Sequence, residues 1–342
     1  MTAHSKPTKY IFGLAVAALV ALPNVVPTVA SAEELPVTGS IVYGRIDQVA
    51  GGFTGGPQDL WVDIPSGADL DIFSRTVQDG EESAIAESSF QEDAPRWAPD
   101  GESVAYSSDE SGFFQIYVKT PGEQPRQITS GPRDYFIPSW SPDGRSMVAM
   151  GCADAVCRIY RMHRNGSGVV AITRGPSDYF PEWSPDGKWI LFTRHDPQEP
   201  YEAFHLYLVR PDGSFIKRIS TGSLEGFSPR WSPDGKQIAF SASGPADGSG
   251  FVSTHIYVMD RDGSNHRRLT VDERVDDYYP CWSPDGSRVA FSRSRVIYRP
   301  LDPLGLYTYL YTAPDLYTVT LGGEVQQLTE TPEISEALCD WA

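Results

Sequence analysis

Six acidic residues recur at one place in this 342-residue chain. Glu92, Asp134, Asp178, Glu225, Asp277 and Glu336 each stand five or six residues before a tryptophan. Acids make up 45 of the 342 residues, so six hits in six exceed what composition alone would place there. Carboxylates converging from separate segments could hold Ca2+, a hard cation that takes oxygen ligands, or steer a cationic partner. The plainer reading is that they cap turns or face solvent in an acidic protein. Tyr135, Phe136, Tyr179, Phe180, Phe227, Tyr278 and Tyr279 adjoin them. Aromatics beside a polar rim suit recognition, and they suit packing between neighbouring sheets equally. The candidate binding set is therefore Glu92, Asp134, Tyr135, Asp178, Tyr179, Glu225, Phe227, Asp277, Tyr278 and Glu336. No residue is assigned a catalytic role.

The remaining reactive side chains say less. Cys152 and Cys157 flank a short turn between two strand-like runs, which permits a disulfide across a hairpin. Cys281 and Cys339 occupy similar places in different repeats and could also be joined. Neither pair has the spacing of a zinc or redox site. His205 and His255 fill a slot that elsewhere holds Gln115, Arg158 or Asp315. A slot open to any polar residue is structural, so neither histidine is read as a metal ligand. The segment 294–314, with Arg295, Tyr298, Arg299, Tyr307, Tyr309 and Tyr311, reads as a binding loop or as a loop folded over its own unit.

The elements that position these residues come from an internal repeat. Pro95-Arg96-Trp97-Ala98-Pro99-Asp100-Gly101 recurs at 138–144, 181–187, 229–235 and 280–286. The tryptophans at 97, 140, 183, 231 and 282 are spaced close to the ~40–45 residues of a four-stranded propeller blade. In each unit strand A carries the Trp, and Ser-Pro-Asp-Gly makes a tight turn. Strand B is β-branched and aromatic. Strand C holds a hydrophobe–Tyr pair such as Ile116-Tyr117, and strand D ends in hydrophobe–Thr or hydrophobe–Ser. The A–B and C–D turns are uniform. The B–C loops and D–A links on the opposite face vary, and variable loops on a rigid scaffold are where recognition sits.

The two chain ends supply a sixth unit. Residues 41–45 look like a strand B, Leu60-Trp61 like strand C, and Leu70–Thr76 like strand D. Ala337 to Trp341 looks like the missing strand A. Joining them closes the ring and removes the exposed sheet edges of an open array. The expected fold is all-β: a six-bladed propeller of four-stranded antiparallel blades over residues 39–342. Residues 1–32 read as a secretory signal peptide, with Lys6 and Lys9 ahead of a 12-residue apolar run and small residues at Ala30-Ser31-Ala32. That run is shorter than the roughly 20 residues of a membrane span. Residues 33–38 are a short linker. Without the signal the chain keeps 26 basic and 45 acidic residues, a net charge of −19. That balance argues against nucleic acid and anionic lipid.

The Trp-Ser-Pro-Asp-Gly heptads and the later Ile-Tyr pairs resemble the WD40-like propeller repeats of the TolB family. The resemblance covers residues 39–342. It implies a periplasmic propeller that binds protein partners at the mouth of the central channel. For this chain the expectation is a secreted or periplasmic monomer whose ligand is a protein, peptide or cell-envelope glycan, with no cofactor unless Ca2+. A full TolB carries an α/β domain ahead of its propeller, and residues 33–38 leave no room for one. Prolyl-oligopeptidase relatives add a hydrolase domain with a Gly-x-Ser-x-Gly elbow, a motif this sequence lacks. The expected role is binding rather than catalysis. The alternative is a metal-assisted lyase or hydrolase working at the channel mouth.

Overall fold

The computed structural model describes residues 39–47, 70–154, 156–195, 204–220, 225–243, 253–272, 274–300, 307–311, 314–330 and 334–342. The signal peptide, the 33–38 linker and Leu60-Trp61 lie outside them. The described residues form six antiparallel sheets. Blade 1 runs β25 (Ile334–Trp341), β1 (Ser40–Asp47), β2 (Leu70–Thr76) and β3 (Glu82–Ala86). Blade 2 is β4 (Glu92–Trp97), β5 (Val104–Ser108), β6 (Gln115–Lys119) and β7 (Arg126–Gln127). Blade 3 is β8 (Asp134–Trp140), β9 (Ser146–Ala153), β10 (Val156–His163) and β11 (Val170–Ala171). Blade 4 is β12 (Ser177–Trp183), β13 (Ile190–His195), β14 (Phe204–Val209) and β15 (Ile216–Arg218). Blade 5 is β16 (Glu225–Trp231), β17 (Gln237–Ser243), β18 (Thr254–Asp260) and β19 (Arg267–Arg268). Blade 6 is β20 (Val275–Trp282), β21 (Arg288–Pro300), β23 (Asp315–Thr320) and β24 (Val325–Gln327), with β22 (Tyr307–Tyr311) paired to the outer half of β21. No helix among the described residues is long and apolar enough to cross a membrane.

The repeated motifs have local causes. The Thr or Ser ending strand D accepts the amide of the strand-C hydrophobe: Thr129 from Ile116, Thr173 from Ile159, Ser220 from Leu206, Thr270 from Ile256 and Thr329 from Leu316. The aromatic residue of strand B lies opposite the strand-C tyrosine and stacks on it, as in Phe192–Tyr207 and Phe240–Tyr257. Blades also approach closely at the C–D turns. A Cβ on Gly263 would sit 1.9 Å from the Ile219 carbonyl of the preceding blade, so that turn needs glycine.

One expectation is corrected: Leu70–Thr76 is the third strand of blade 1, strand C and not strand D, and the fourth is Glu82–Ala86. Ile72-Phe73 stands where other blades carry hydrophobe–Tyr, and Asp71 fills the polar slot before it. The 294–314 insertion extends β21 and returns as β22, a two-stranded ribbon continuing the blade.

The six A strands touch in a closed circle, β25 to β4, β8, β12, β16, β20 and back to β25. Each carries a bulge of one extra residue between the candidate acid and the tryptophan. At each bulge a non-glycine residue takes the left-handed region: Ala94, Ile137, Phe180, Ser228, Tyr279 and Leu338, with φ between 49° and 56°. Such a conformation is costly and holds only where its surroundings fix it. Here five of the six residues share one buried apolar cluster that draws on all parts of the ring. Proline follows in five of the six, where its missing N–H costs the ladder nothing because the bulge has already broken it. In blade 1 that position is Cys339, and it forms a disulfide with Cys281 of blade 6. Cys152 and Cys157 also form a disulfide, across the β9–β10 hairpin.

The last strand is thus held to blade 1 by its ladder and to blade 6 by a covalent bond. For a separation of 58 residues, loop-closure entropy puts the 281–339 bridge at about 4 kcal/mol. A Cys281→Ser/Cys339→Ser variant should lose stability of that order in urea titration, whereas Cys152→Ser/Cys157→Ser, closing a separation of 5, should lose less.

Candidate functional site

The strand direction sets two levels on the ring. Strand A enters from the D–A link and leaves into the A–B turn, so the six acids lie toward the variable-loop face and the tryptophans toward the uniform one. The candidate acids occupy equivalent places at or near the starts of their strands, as expected. They do not form a common set of free carboxylates. Asp178 and Asp277 are fully buried, and each takes a two-pronged ion pair from an arginine opposite it on strand B, Arg194 and Arg293, with nearest distances of 2.6 Å. Asp134 accepts the Phe114 amide at 2.9 Å across the blade boundary. Glu92 accepts the Ser88 hydroxyl at 2.7 Å. Glu225 lies opposite Ser243, and Glu336 opposite Arg45. Among the described residues no group of three or more His, Cys, Asp or Glu side chains is placed to hold a metal ion.

The candidate aromatics are also turned inward. Tyr135 meets Tyr160 edge-on at 5.5 Å, and Tyr179 and Phe227 belong to the axial cluster with Phe136, Phe180 and Tyr279. Tyr278 is half-buried against that cluster and lies 6.2 Å from Phe227. The polar slot before the strand-C pair is structural: Gln115 donates to the carbonyls of Gly131 and Arg133 in the next link. His255 lies 2.8 Å from the Arg268 guanidinium, and burial, then Arg268, pushes its pKa down to about 4, so it stays neutral at pH 7.

Burial dominates the electrostatics. It pushes the pKa of Glu92 up to about 7 against the Ser88 hydroxyl bond, with Asp71 and Glu110 adding to the rise. It does the same to Asp93 and Asp276, each to about 7, although each accepts a backbone amide.

A second constellation escaped the sequence reading. The residue just before each Trp runs round the ring as Asp340, Arg96, Ser139, Glu182, Arg230 and Cys281. The order acid, arginine, small repeats twice, so like residues face each other three blades apart. Each acid caps the next blade. Asp340 accepts the Trp97 amide at 2.8 Å and Glu182 the Trp231 amide at 2.6 Å; Ser139 does the same for Trp183 at 3.0 Å. Burial, opposed by Arg230, the Trp231 amide and Arg96, pushes Glu182 up to about 7. The available signal was the one variable position inside a uniform Pro-x-Trp motif.

What remains open on the loop face is apolar as well as acidic. Phe90 and Phe113 are 38% and 41% exposed. Their loops are tied together, the Gln91 amide bonding to the Asp109 carboxylate and the Asp109 amide returning to the Gln91 carbonyl.

The family model of the TolB β-propeller domain matches residues 46–225. Among solved structures, TolB from Acinetobacter baumannii is similar at a TM-score of 0.64 and 21% identity, over 89% of this chain and 66% of that one. A putative TolB from Agrobacterium tumefaciens gives 0.60 and 18%, over 89% and 99%. The oligogalacturonate lyase of Vibrio parahaemolyticus gives 0.53 and 15%, over 85% and 79%. At these identities the likeness is one of fold. No curated protein matches the chain in sequence.

Two outcomes follow from the buried charges. Asp277→Asn leaves Arg293 buried without its counter-charge, and should cost about 3–5 kcal/mol in chemical denaturation; an unchanged midpoint would mean the pair is solvated. Stability should also depend on pH with a definite sign. Glu92, Asp93, Glu182 and Asp276 titrate higher folded than unfolded. Their contribution is complete below about pH 4 and is lost as pH rises through about 7. His255 works the other way, its contribution fading as pH falls from about 6.5 toward 4. The melting temperature should therefore be higher at pH 6 than at pH 8, and Glu182→Gln should flatten part of that slope.

Proposed function

The chain belongs to the TolB β-propeller domain family, and on that premise we propose that it is a secreted or periplasmic binding module that recognises a protein or peptide of the cell envelope with its variable-loop face. The observation that carries this reading is the contrast between the faces. The A–B turns repeat one hydrogen-bonded geometry, with the Gly144, Gly187, Gly235 and Gly286 amides each returning to the serine carbonyl three residues earlier. The opposite face carries loops of unequal length and the linked, exposed Phe90 and Phe113. Exposed apolar side chains stand on both faces, Phe215 among them on the uniform one, so loop variation is what sets the faces apart. The two disulfides suit an oxidising compartment. The buried acids serve the scaffold, so recognition falls to the loops around them.

A metal-assisted lyase is the competing reading, because a lyase shares the fold. Capture from an envelope extract separates the two. The wild type should retain a partner that a Phe90→Ser/Phe113→Ser variant loses at least tenfold, whereas Phe215→Ser on the uniform face changes nothing. Equal capture by all three would overturn the proposal. A stoichiometric transition metal in the purified protein would favour the lyase.

A further inference from the structure

We propose that a small inorganic anion of halide size binds on the ring axis between Arg96 and Arg230. The two arginines belong to blades 2 and 5, opposite each other across the ring. They line one cavity together with Ile137, Phe180, Ser228 and Tyr279, so residues from blades all round the ring enclose it. The cavity has room for about one water-sized body, which suits a monatomic ion and excludes a peptide.

Two buried donors that line this cavity, the Arg96 Nε–H and the Ser228 hydroxyl, lack an acceptor among the described residues. Arg96 is 5% exposed and Arg230 6%. The Arg96 Nη1 donates to the Pro95 carbonyl at 2.7 Å, and its Nε–H has no acceptor among the described residues. The Arg230 Nη2 donates to the Cys339 carbonyl at 3.3 Å, and its Nη1 lies 4.0 Å from Glu182, beyond hydrogen-bonding range. The Ser228 hydroxyl, 3% exposed, also lacks a partner among the described residues. Buried donors left unmade are costly, and guanidinium groups favour anions.

The neighbouring acids do not supply what is missing. Asp340 and Glu182 each direct an oxygen to a tryptophan amide, and Asp93 directs one to the Ala94 amide. Burial, then Arg230, draws Arg96 down to about 9, opposed by Asp340, Glu182 and Asp93. Two like charges thus line one cavity. Glu182 and Asp93 take up protons as pH falls below about 7, so the anion should bind more tightly at pH 6 than at pH 8. The ion would tie opposite blades through the axis, a cross-brace that the strand ladders do not provide.

The test replaces sodium gluconate, too large for the cavity, by sodium chloride at constant ionic strength and pH 6. The wild type should melt roughly 2–3 °C higher once chloride exceeds its dissociation constant tenfold. Arg96→Gln and Arg230→Gln should each lose that rise. A crystal grown in sodium bromide should show an anomalous peak touching both guanidinium groups. An absent peak, a melting temperature indifferent to chloride, or a rise that survives in both variants would overturn the site. If neither variant folds, the bromide peak in the wild type decides alone.

Discussion

The pairing of β25 with β1 is the constraint on which the rest of the molecule depends. Five blades are built from continuous sequence, and blade 1 is assembled from the two ends of the described chain. Until that ladder forms, β1 has an open edge and the A strands of blades 6 and 2 have no neighbour between them. The closing strand contributes Leu338 to the axial cluster and Asp340 to the Trp97 amide of blade 2. Cys339 fixes the same strand to blade 6. Three kinds of bond, on the three consecutive residues 338–340, make the closure a single event.

Closure also dictates where charge can go. Six strands converging on an axis leave little room for water, so polar groups on strand A must find partners in protein. Asp178 and Asp277 meet arginines on their own strand B, while Asp134 turns to a backbone amide of the preceding blade. An acid can recur in every blade for this reason without any ligand to bind. Recurrence is thus accounted for by the symmetry of the scaffold, and the features that break that symmetry are the unequal loops and the two-fold order of residues before the tryptophans.

The bulges link these features. An extra residue per A strand swings one side chain toward the axis at left-handed φ. That swing builds the apolar plug from Ala94, Ile137, Phe180, Tyr279 and Leu338, with Ser228 completing the circle. It also resets the register, so Arg96 and Arg230 arrive at the axis on the far side of the plug from the candidate acids. The axis is divided into an aromatic level flanked by the candidate acids and a level where Arg96 and Arg230 alternate with Asp340 and Glu182.

Much of the fold was legible because its determinants are local. Ser-Pro-Asp-Gly specifies a turn, hydrophobe–Thr specifies a side-chain cap on strand C, and their repetition counts the blades. The ends of blade 1 were legible as fragments, yet its third and fourth strands were displaced by one, since Ile72-Phe73 departs from the Ile-Tyr pattern. The partners of the candidate site residues were not legible. Sequence placed the six acids at one level but could not say that Arg194 and Arg293 would consume two of them, because those partners lie 16 residues away on another strand. It gave no hint that Arg96 and Arg230, 134 positions apart, would meet across the axis. Composition and spacing determine what each blade is; only the closed ring decides which side chains lose their water together, since that depends on contacts between blades that share no sequence neighbourhood.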